Sequence, residues 1–106
     1  MSGSPKFSII TPTCDRMEGG KLPRALASVK TQFCEDFEHI LVDDGSKDGT
    51  ADWWKEHYWH DDDRFYLIEL EHQGRVIARN TGMRSAQGEW VCWLDSDDAL
   101  DPMYLA

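Results

Sequence analysis

The feature that most constrains this chain is an alternation. Short runs rich in β-branched and aromatic residues take turns with segments of helical period, and three of those runs end in a polar cluster. Phe7 to Thr11 is the first run, and Pro12 is expected to stop it, because proline cannot donate to a strand ladder. From Leu22, the apolar residues Leu22, Ala25, Leu26 and Val29 fall at i, i+3, i+4 and i+7, an amphipathic helix with Pro23 in its first turn. Phe37 to Val42 reads as a second strand ending in Asp43 and Asp44, and the turn Gly45–Thr50 leads into a helix carrying Trp53, Trp54 and His57. Phe65 to Leu70 is a third strand. Gly74 to Ala86 is a third helix, with Gly88 as its expected end. The stretch Glu89 to Asp98 reads as a fourth, buried strand that runs into Asp95, Ser96, Asp97 and Asp98.

Strands alternating with helices build βαβ units, whose right-handed crossovers give an open parallel sheet with helices on both faces. Ligands of such sheets bind outside the carboxyl ends of the strands. The polar clusters Thr11–Arg16, Asp43–Ser46 and Asp95–Asp98 all belong at that edge. Three clusters converging on one edge point to a functional site.

The last cluster has its own chemistry. In extended backbone, Asp95 and Asp97 face the same side, and two carboxylates held together call for a cation between them. Hard oxygen ligands favour Mg²⁺ or Mn²⁺, which would clamp phosphates in turn. The plainer alternative is an acidic turn before a helix that begins near Pro102.

Bulk properties narrow the partners. A chain of 106 residues suits one domain, with residues 1–6 expected to be a disordered tail and residues 7–106 the domain itself. Net charge of −9 argues against nucleic acid or an anionic membrane surface. A phosphate-bearing ligand would need a metal or local arginines to enter that field. No run is long enough for a membrane span, and the amino terminus lacks a signal-peptide core. Cys14, Cys34 and Cys92 are odd in number and far apart, which suits reduced thiols in a cytoplasmic protein.

Four pieces of the chain together resemble the amino-terminal half of family 2 glycosyltransferases, enzymes of the GT-A fold. They are Phe-Ser-Ile-Ile-Thr-Pro-Thr from Phe7, Asp-Phe-Glu-His-Ile-Leu-Val-Asp-Asp-Gly-Ser-Lys-Asp-Gly-Thr ending at Thr50, Ala-Arg-Asn-Thr-Gly ending at Gly82, and Gly-Glu-Trp-Val-Cys-Trp-Leu-Asp-Ser-Asp-Asp ending at Asp98. The resemblance runs from Phe7 to the end, and four motifs in the right order and spacing make it specific. With the βαβ alternation it implies a Rossmann-like sheet in the order 3-2-1-4, a truncated GT-A fold. It also implies a nucleotide-diphosphate sugar as ligand, a UDP-sugar foremost, and Mn²⁺ or Mg²⁺ as cofactor for inverting transfer of a hexosyl group.

The implied nucleotide-sugar residues are Thr11, Pro12, Thr13, Asp15, Arg16, Asp43, Asp44, Arg79, Asp95 and Ser96. Pro12–Arg16 and Asp44 would hold the nucleoside, with Asp44 on the base. Arg79 would lie near the phosphates, Asp95 would reach the ribose, and Asp97 would hold the metal with Asp95. The rival reading of Arg79 is a solvated helix arginine paired with a nearby carboxylate.

Two departures stand out. Where the family commonly carries an aromatic followed by asparagine, this chain has Cys14 and Asp15. A thiol cannot stack on a base as a ring does. The second departure is length: in the resembling enzymes the acceptor pocket and the general base come from the second half of the domain. This chain ends at Ala106, no residue is assigned as base, and the isolated chain is expected to be inactive. A fourth strand cut off there would present an apolar edge and self-associate.

Other readings fit less well. An EF-hand starting at Asp44 needs a glutamate at its twelfth position, which is Lys55. A haloacid-dehalogenase phosphatase needs more chain after Asp95, and a phospho-receiver domain needs acids where Thr11-Pro12-Thr13 stands. His57 and His60 beside Asp61–Asp63 read as a solvated surface, and Trp53 or Trp54 as core. The surviving alternative to an enzyme is a nucleotide-sugar-binding or vestigial module without transfer activity.

Overall fold

Alternating side chains along two central strands divide the core into two layers. A computed structural model describes residues 5–32, 34–59, 62–96 and 99. Its elements are strand β1 (Phe7–Thr13), a 3₁₀ turn (Glu18–Gly20), helix α1 (Lys21–Lys30), β2 (Phe37–Asp44), α2 (Thr50–Tyr58), β3 (Phe65–Leu70), α3 (Arg75–Ser85) and β4 (Trp90–Trp93). All pairings are parallel, and the sheet order is β3-β2-β1-β4, as expected.

Ile9 of β1 and Phe37 and Leu41 of β2 turn to one face. There they meet Leu22, Ala25, Leu26 and Val29 of α1 and Trp54 and Tyr58 of α2. The four α1 positions are the i, i+3, i+4, i+7 stripe, and each is fully buried. Ile10, Ile40 and Val42 turn to the other face, where Ala78 of α3 covers them. Helices therefore lie on both faces. Gly82 lets α3 approach closely: a Cβ there would sit 2.5 Å from Ile10 Cγ2.

Three sequence expectations are corrected. Pro12 does not end β1, which runs to Thr13 with Pro12 beside Val42. The β1–β4 ladder stops at Ile10 beside Trp93, so on that side β1 is already an edge at Pro12, where a missing N–H is tolerated. Gly88 does not end α3, which closes at Ser85 with Ala86 as its cap. Its role is contact, because a Cβ would lie 2.6 Å from the Ser8 nitrogen. Around it runs a buried polar network: Ser8 Oγ donates to Glu38 Oε2 at 2.6 Å, and the N–H groups of Gln87 and Gly88 donate to Glu38 Oε2 and Ser8 Oγ at 2.7 Å each. Finally, β4 is not a fully buried strand: Val91 and Cys92 pack against the core layers, but Trp90 is 58% exposed and Trp93 39% exposed, since among the described residues β4 pairs with β1 alone.

Of the tail expected over residues 1–6, the first four residues lie outside the described ones. Lys6 already engages the sheet, donating to the Asp36 carbonyl and accepting from the Trp90 N–H. His60, Asp61, Asp97, Asp98 and the helix expected near Pro102 also lie outside the described residues. No helix among the described residues is long and apolar enough to cross a membrane.

Candidate functional site

The strand ends converge as the topology requires. At the carboxyl edge of the sheet, Pro12 and Thr13 at the end of β1, Cys14 and Arg16 after it, Asp44 at the end of β2, and Asp95 and Ser96 after β4 line one cleft of about 490 Å³. His72, Gly74, Arg75, Ala78 and Arg79, from the β3–α3 loop and α3, close it.

Two loops are stapled together to form its wall. Asp15 stands at φ 54°, a left-handed conformation that asparagine and aspartate tolerate best after glycine. Its N–H donates to Ser46 Oγ at 2.8 Å, and its Oδ1 accepts the Lys47 N–H at 2.7 Å. Asp48 Oδ2 accepts the Met17 N–H at 3.0 Å, a second staple between the same loops. Asp43 is buried and accepts the Ser46 N–H at 3.0 Å, which closes the turn after β2. Burial holds its carboxyl above the usual range.

Asp44 is the hub. Its Oδ1 accepts the Gln73 N–H at 2.8 Å, and its Oδ2 accepts the Gly74 N–H at 3.1 Å and lies 3.1 Å from His72 Nδ1. A carboxylate offers about four acceptor sites, so among the described residues Oδ1, with one donor, is not saturated, and Asp44 lines the cleft. Gly45 makes this arrangement feasible: it sits at φ +73°, and a Cβ there would lie 2.7 Å from the His72 nitrogen.

Of the residues singled out in the sequence, the cleft gathers Pro12, Thr13, Arg16, Asp44, Arg79, Asp95 and Ser96. Thr11, Asp15 and Asp43 do not line it. Thr11 is fully buried and its Oγ1 lies 2.9 Å from His39 Nε2, while Asp15 and Asp43 shape the loops behind the wall. Thr13 Oγ1 is buried without a hydrogen-bond partner among the described residues. A buried hydroxyl left unpaired costs about 1–3 kcal/mol, which a ligand's polar atom would recover.

Arg79 faces the cleft with its guanidinium carbon 4.9 Å from the centroid of Trp93, a cation–π contact. Among the described residues its partner is thus an aromatic ring. Arg75 joins it. The i, i+4 spacing of Arg75 and Arg79 is the sequence signal that could have found Arg75, because residues so spaced share one helix face. His72 has no such signal, since only the Gly45 turn brings it to Asp44. The Cys14 thiol is raised above its ordinary pKa, first by burial and then by the charges of Asp15, Asp44 and Asp43.

A cleft at the carboxyl edge of a parallel sheet, with three arginines in a chain of net charge −9, suits a ligand carrying phosphates. Similar proteins share this framework. A PGL/p-HBAD biosynthesis glycosyltransferase of Mycobacterium bovis is 38% identical over 97 residues, covering 92% of this chain and 37% of its own length. TarS of S. aureus, solved with UDP, superposes with a TM-score of 0.83 at 30% identity, over 94% of this chain and 30% of TarS 1-349. The mannosyltransferase PcManGT of Pyrobaculum calidifontis, solved with GDP-Man and Mn²⁺, gives 0.74 at 31% identity, over 91% of this chain and 28% of its own. In each case this chain spans well under half of its relative. The sheet order and these neighbours make the fold that of GT-A glycosyltransferases. The model of glycosyl transferase family 2 matches residues 8–106, and the chain belongs to that family.

Proposed function

We propose that residues 7–106 form one domain whose cleft binds a nucleotide-diphosphate sugar, a UDP-sugar foremost, as the donor site of an inverting glycosyltransferase. The observation that carries this reading is the meeting of Arg16, Arg75 and Arg79 with Asp44 and Asp95 in one cleft. TarS binds UDP and PcManGT binds GDP-Man with Mn²⁺, which supports a nucleotide sugar as the ligand class.

In this reading Asp44 Oδ1 accepts an N–H of the base, and the loop at Pro12–Arg16 flanks the nucleoside. Arg79 and Arg75 meet the diphosphate, with planar forks suited to phosphate oxygens. Asp95 reaches the ribose, and Ser96 offers a hydroxyl beside it. The donor chemistry fits Mn²⁺ or Mg²⁺: Asp95 is an exposed carboxylate in the cleft, and its proposed partner Asp97 lies outside the described residues. When bound, the cation supplies Lewis-acid stabilisation to the departing diphosphate.

Inverting transfer to an acceptor also needs a positioned general base, which none of these residues is assigned to be. The 106-residue chain is therefore proposed to bind the donor without transferring it. A hexosyl group is the proposed cargo. Three free thiols suit a reducing cytoplasm, and the exposed Trp90 on β4 supports self-association of this chain through that edge.

Titration calorimetry with UDP tests the reading. Binding is expected with Mn²⁺ and is expected to collapse with chelator, since a diphosphate entering a chain of net charge −9 needs the cation. Equal binding in both conditions would remove Asp95 and Asp97 as the metal site, and no binding in either would overturn the donor reading.

A further inference from the structure

Beside the nucleoside wall stands a second cluster, of different chemistry from the hard carboxylates at Asp95 and Asp97. One oxygen of Asp44, the sulfur of Cys14 and a ring nitrogen of His72 all lie within 4.8 Å of one another. Cys14 Sγ is 3.9 Å from His72 Nδ1, which is 3.1 Å from Asp44 Oδ2 and 3.2 Å from the Asp44 carbonyl oxygen. His72 Nδ1 is thus ringed by electron-rich atoms, and the Asp15 carboxylate lies 3.8 Å from the same sulfur.

We propose that Cys14, His72 and Asp44 hold a borderline-soft divalent cation of the Zn²⁺ class, at a site separate from the metal of the donor diphosphate. Thiolate, imidazole and carboxylate are the ligand set that Zn²⁺ prefers, whereas Mg²⁺ and Mn²⁺ prefer oxygen alone. The spacing agrees. With Zn–S near 2.3 Å and Zn–N or Zn–O near 2.0 Å, the edges of a tetrahedral site are about 3.3–3.7 Å long. Two edges, 3.9 and 3.1 Å, bracket that range, and the third, from Cys14 to Asp44, lies within 4.8 Å and closes by side-chain rotation on binding.

Asp44 is anchored by the Gln73 and Gly74 N–H groups, so one ligand is oriented in advance. His72 has a side chain 70% exposed, which leaves a route for the ion and room for water as a fourth ligand. The carboxylates of Asp15 and Asp44 beside Cys14 make a negative field that a divalent cation would neutralise. On binding, the Cys14 proton leaves to solvent, and the His72 proton resides on Nε2 so that Nδ1 can ligate.

The site has a consequence that rests on the donor reading. Cys14, Asp44 and His72 all line the donor cleft, so a cation held among them stands where the base would meet Asp44, and Zn²⁺ and UDP should exclude one another. Zinc would then act as an inhibitor at the nucleoside end while Mn²⁺ serves the diphosphate end.

Co²⁺ is the probe, because a cobalt–thiolate bond absorbs in the near-ultraviolet and tetrahedral cobalt absorbs in the visible. The 106-residue chain, kept reduced, is titrated with Co²⁺, as are its Cys14→Ser and His72→Gln variants. The expected result is both bands saturating at one equivalent and bleaching on addition of Zn²⁺. The thiolate band should vanish in Cys14→Ser, and affinity should fall at least tenfold in His72→Gln. Absence of the thiolate band, or a band unchanged in Cys14→Ser, overturns the site. Circular dichroism of each variant confirms folding, and Cys34→Ser serves as a control that must keep the band. UDP with Mn²⁺ is then added to the cobalt-loaded chain. Loss of the bands supports exclusion, whereas bands that persist while calorimetry shows UDP bound overturn exclusion and the role of Asp44 on the base, leaving the cation site standing.

Discussion

The Asp44 carboxylate accepts the Gly74 N–H at 3.1 Å and so ties the end of β2 to the start of α3. The same carboxylate accepts the Gln73 N–H. A residue proposed to read the base is thereby also a structural tie between two elements.

Asp44→Ala is accordingly expected to lose stability as well as nucleotide. It strands two N–H groups that Asp44 now pairs, at about 1–3 kcal/mol for each that finds no water. Urea unfolding should show a lowered midpoint for Asp44→Ala and a smaller loss for Asp44→Asn, which keeps one acceptor oxygen. An unchanged midpoint in Asp44→Ala would show that the tie contributes nothing.

Arg79 is expected to read phosphate and not base. Arg79→Ala should weaken UDP by roughly 10–100-fold, the range of a charge-assisted hydrogen bond, and leave uridine binding unchanged. Calorimetry with the two ligands separates these effects. Equal weakening of both would mean that Arg79 only supports the cleft wall through Trp93.

Gly82→Ala is expected to destabilise the domain despite alanine's advantage of about 1 kcal/mol in a helix. The new methyl would stand 2.5 Å from Ile10 Cγ2 and 3.3 Å from Val42 Cγ2, both on fully buried residues. Overpacking of this kind costs about 1–3 kcal/mol. Thermal unfolding checks the sign, and a raised melting temperature would show that α3 can lift without loss.

His39 makes stability depend on pH. Burial pushes its pKa from 6.5 down to about 3, so the folded protein keeps the ring neutral while the unfolded chain takes up a proton. Between about pH 6.5 and 3 the unfolded state binds more protons, and the stability present above pH 6.5 is lost as pH falls, by up to about 1.4 kcal/mol per pH unit. The raised carboxyl of Asp43 acts in the opposite direction, because its protonation favours the folded state. Urea midpoints measured from pH 7 to pH 4.5 should fall for the wild type and fall less steeply for His39→Leu.

Local pattern determined the elements of this protein, and through them the topology. The stripe at Leu22, Ala25, Leu26 and Val29 could be satisfied only by a helix lying on an apolar sheet. Alternating strands and helices left little choice but a parallel sheet with polar clusters on one edge. Hydrophobic periodicity is a property of neighbours along the chain, which is why it can be read there. The positions that the sequence left open depend on contacts between distant segments. Pro12 continues β1 because the β4 ladder has already ended beside it, and Gly88 is needed because Ser8 presses against it. The exposure of Trp90 and Trp93 follows from β4 pairing with β1 alone among the described residues. Asp43 and Asp44 are adjacent and chemically identical, yet the pleat sends one into a turn and the other into the cleft. His72 reaches Cys14 and Asp44 across separations of 58 and 28 residues, through a close approach at Gly45 that only the folded chain creates.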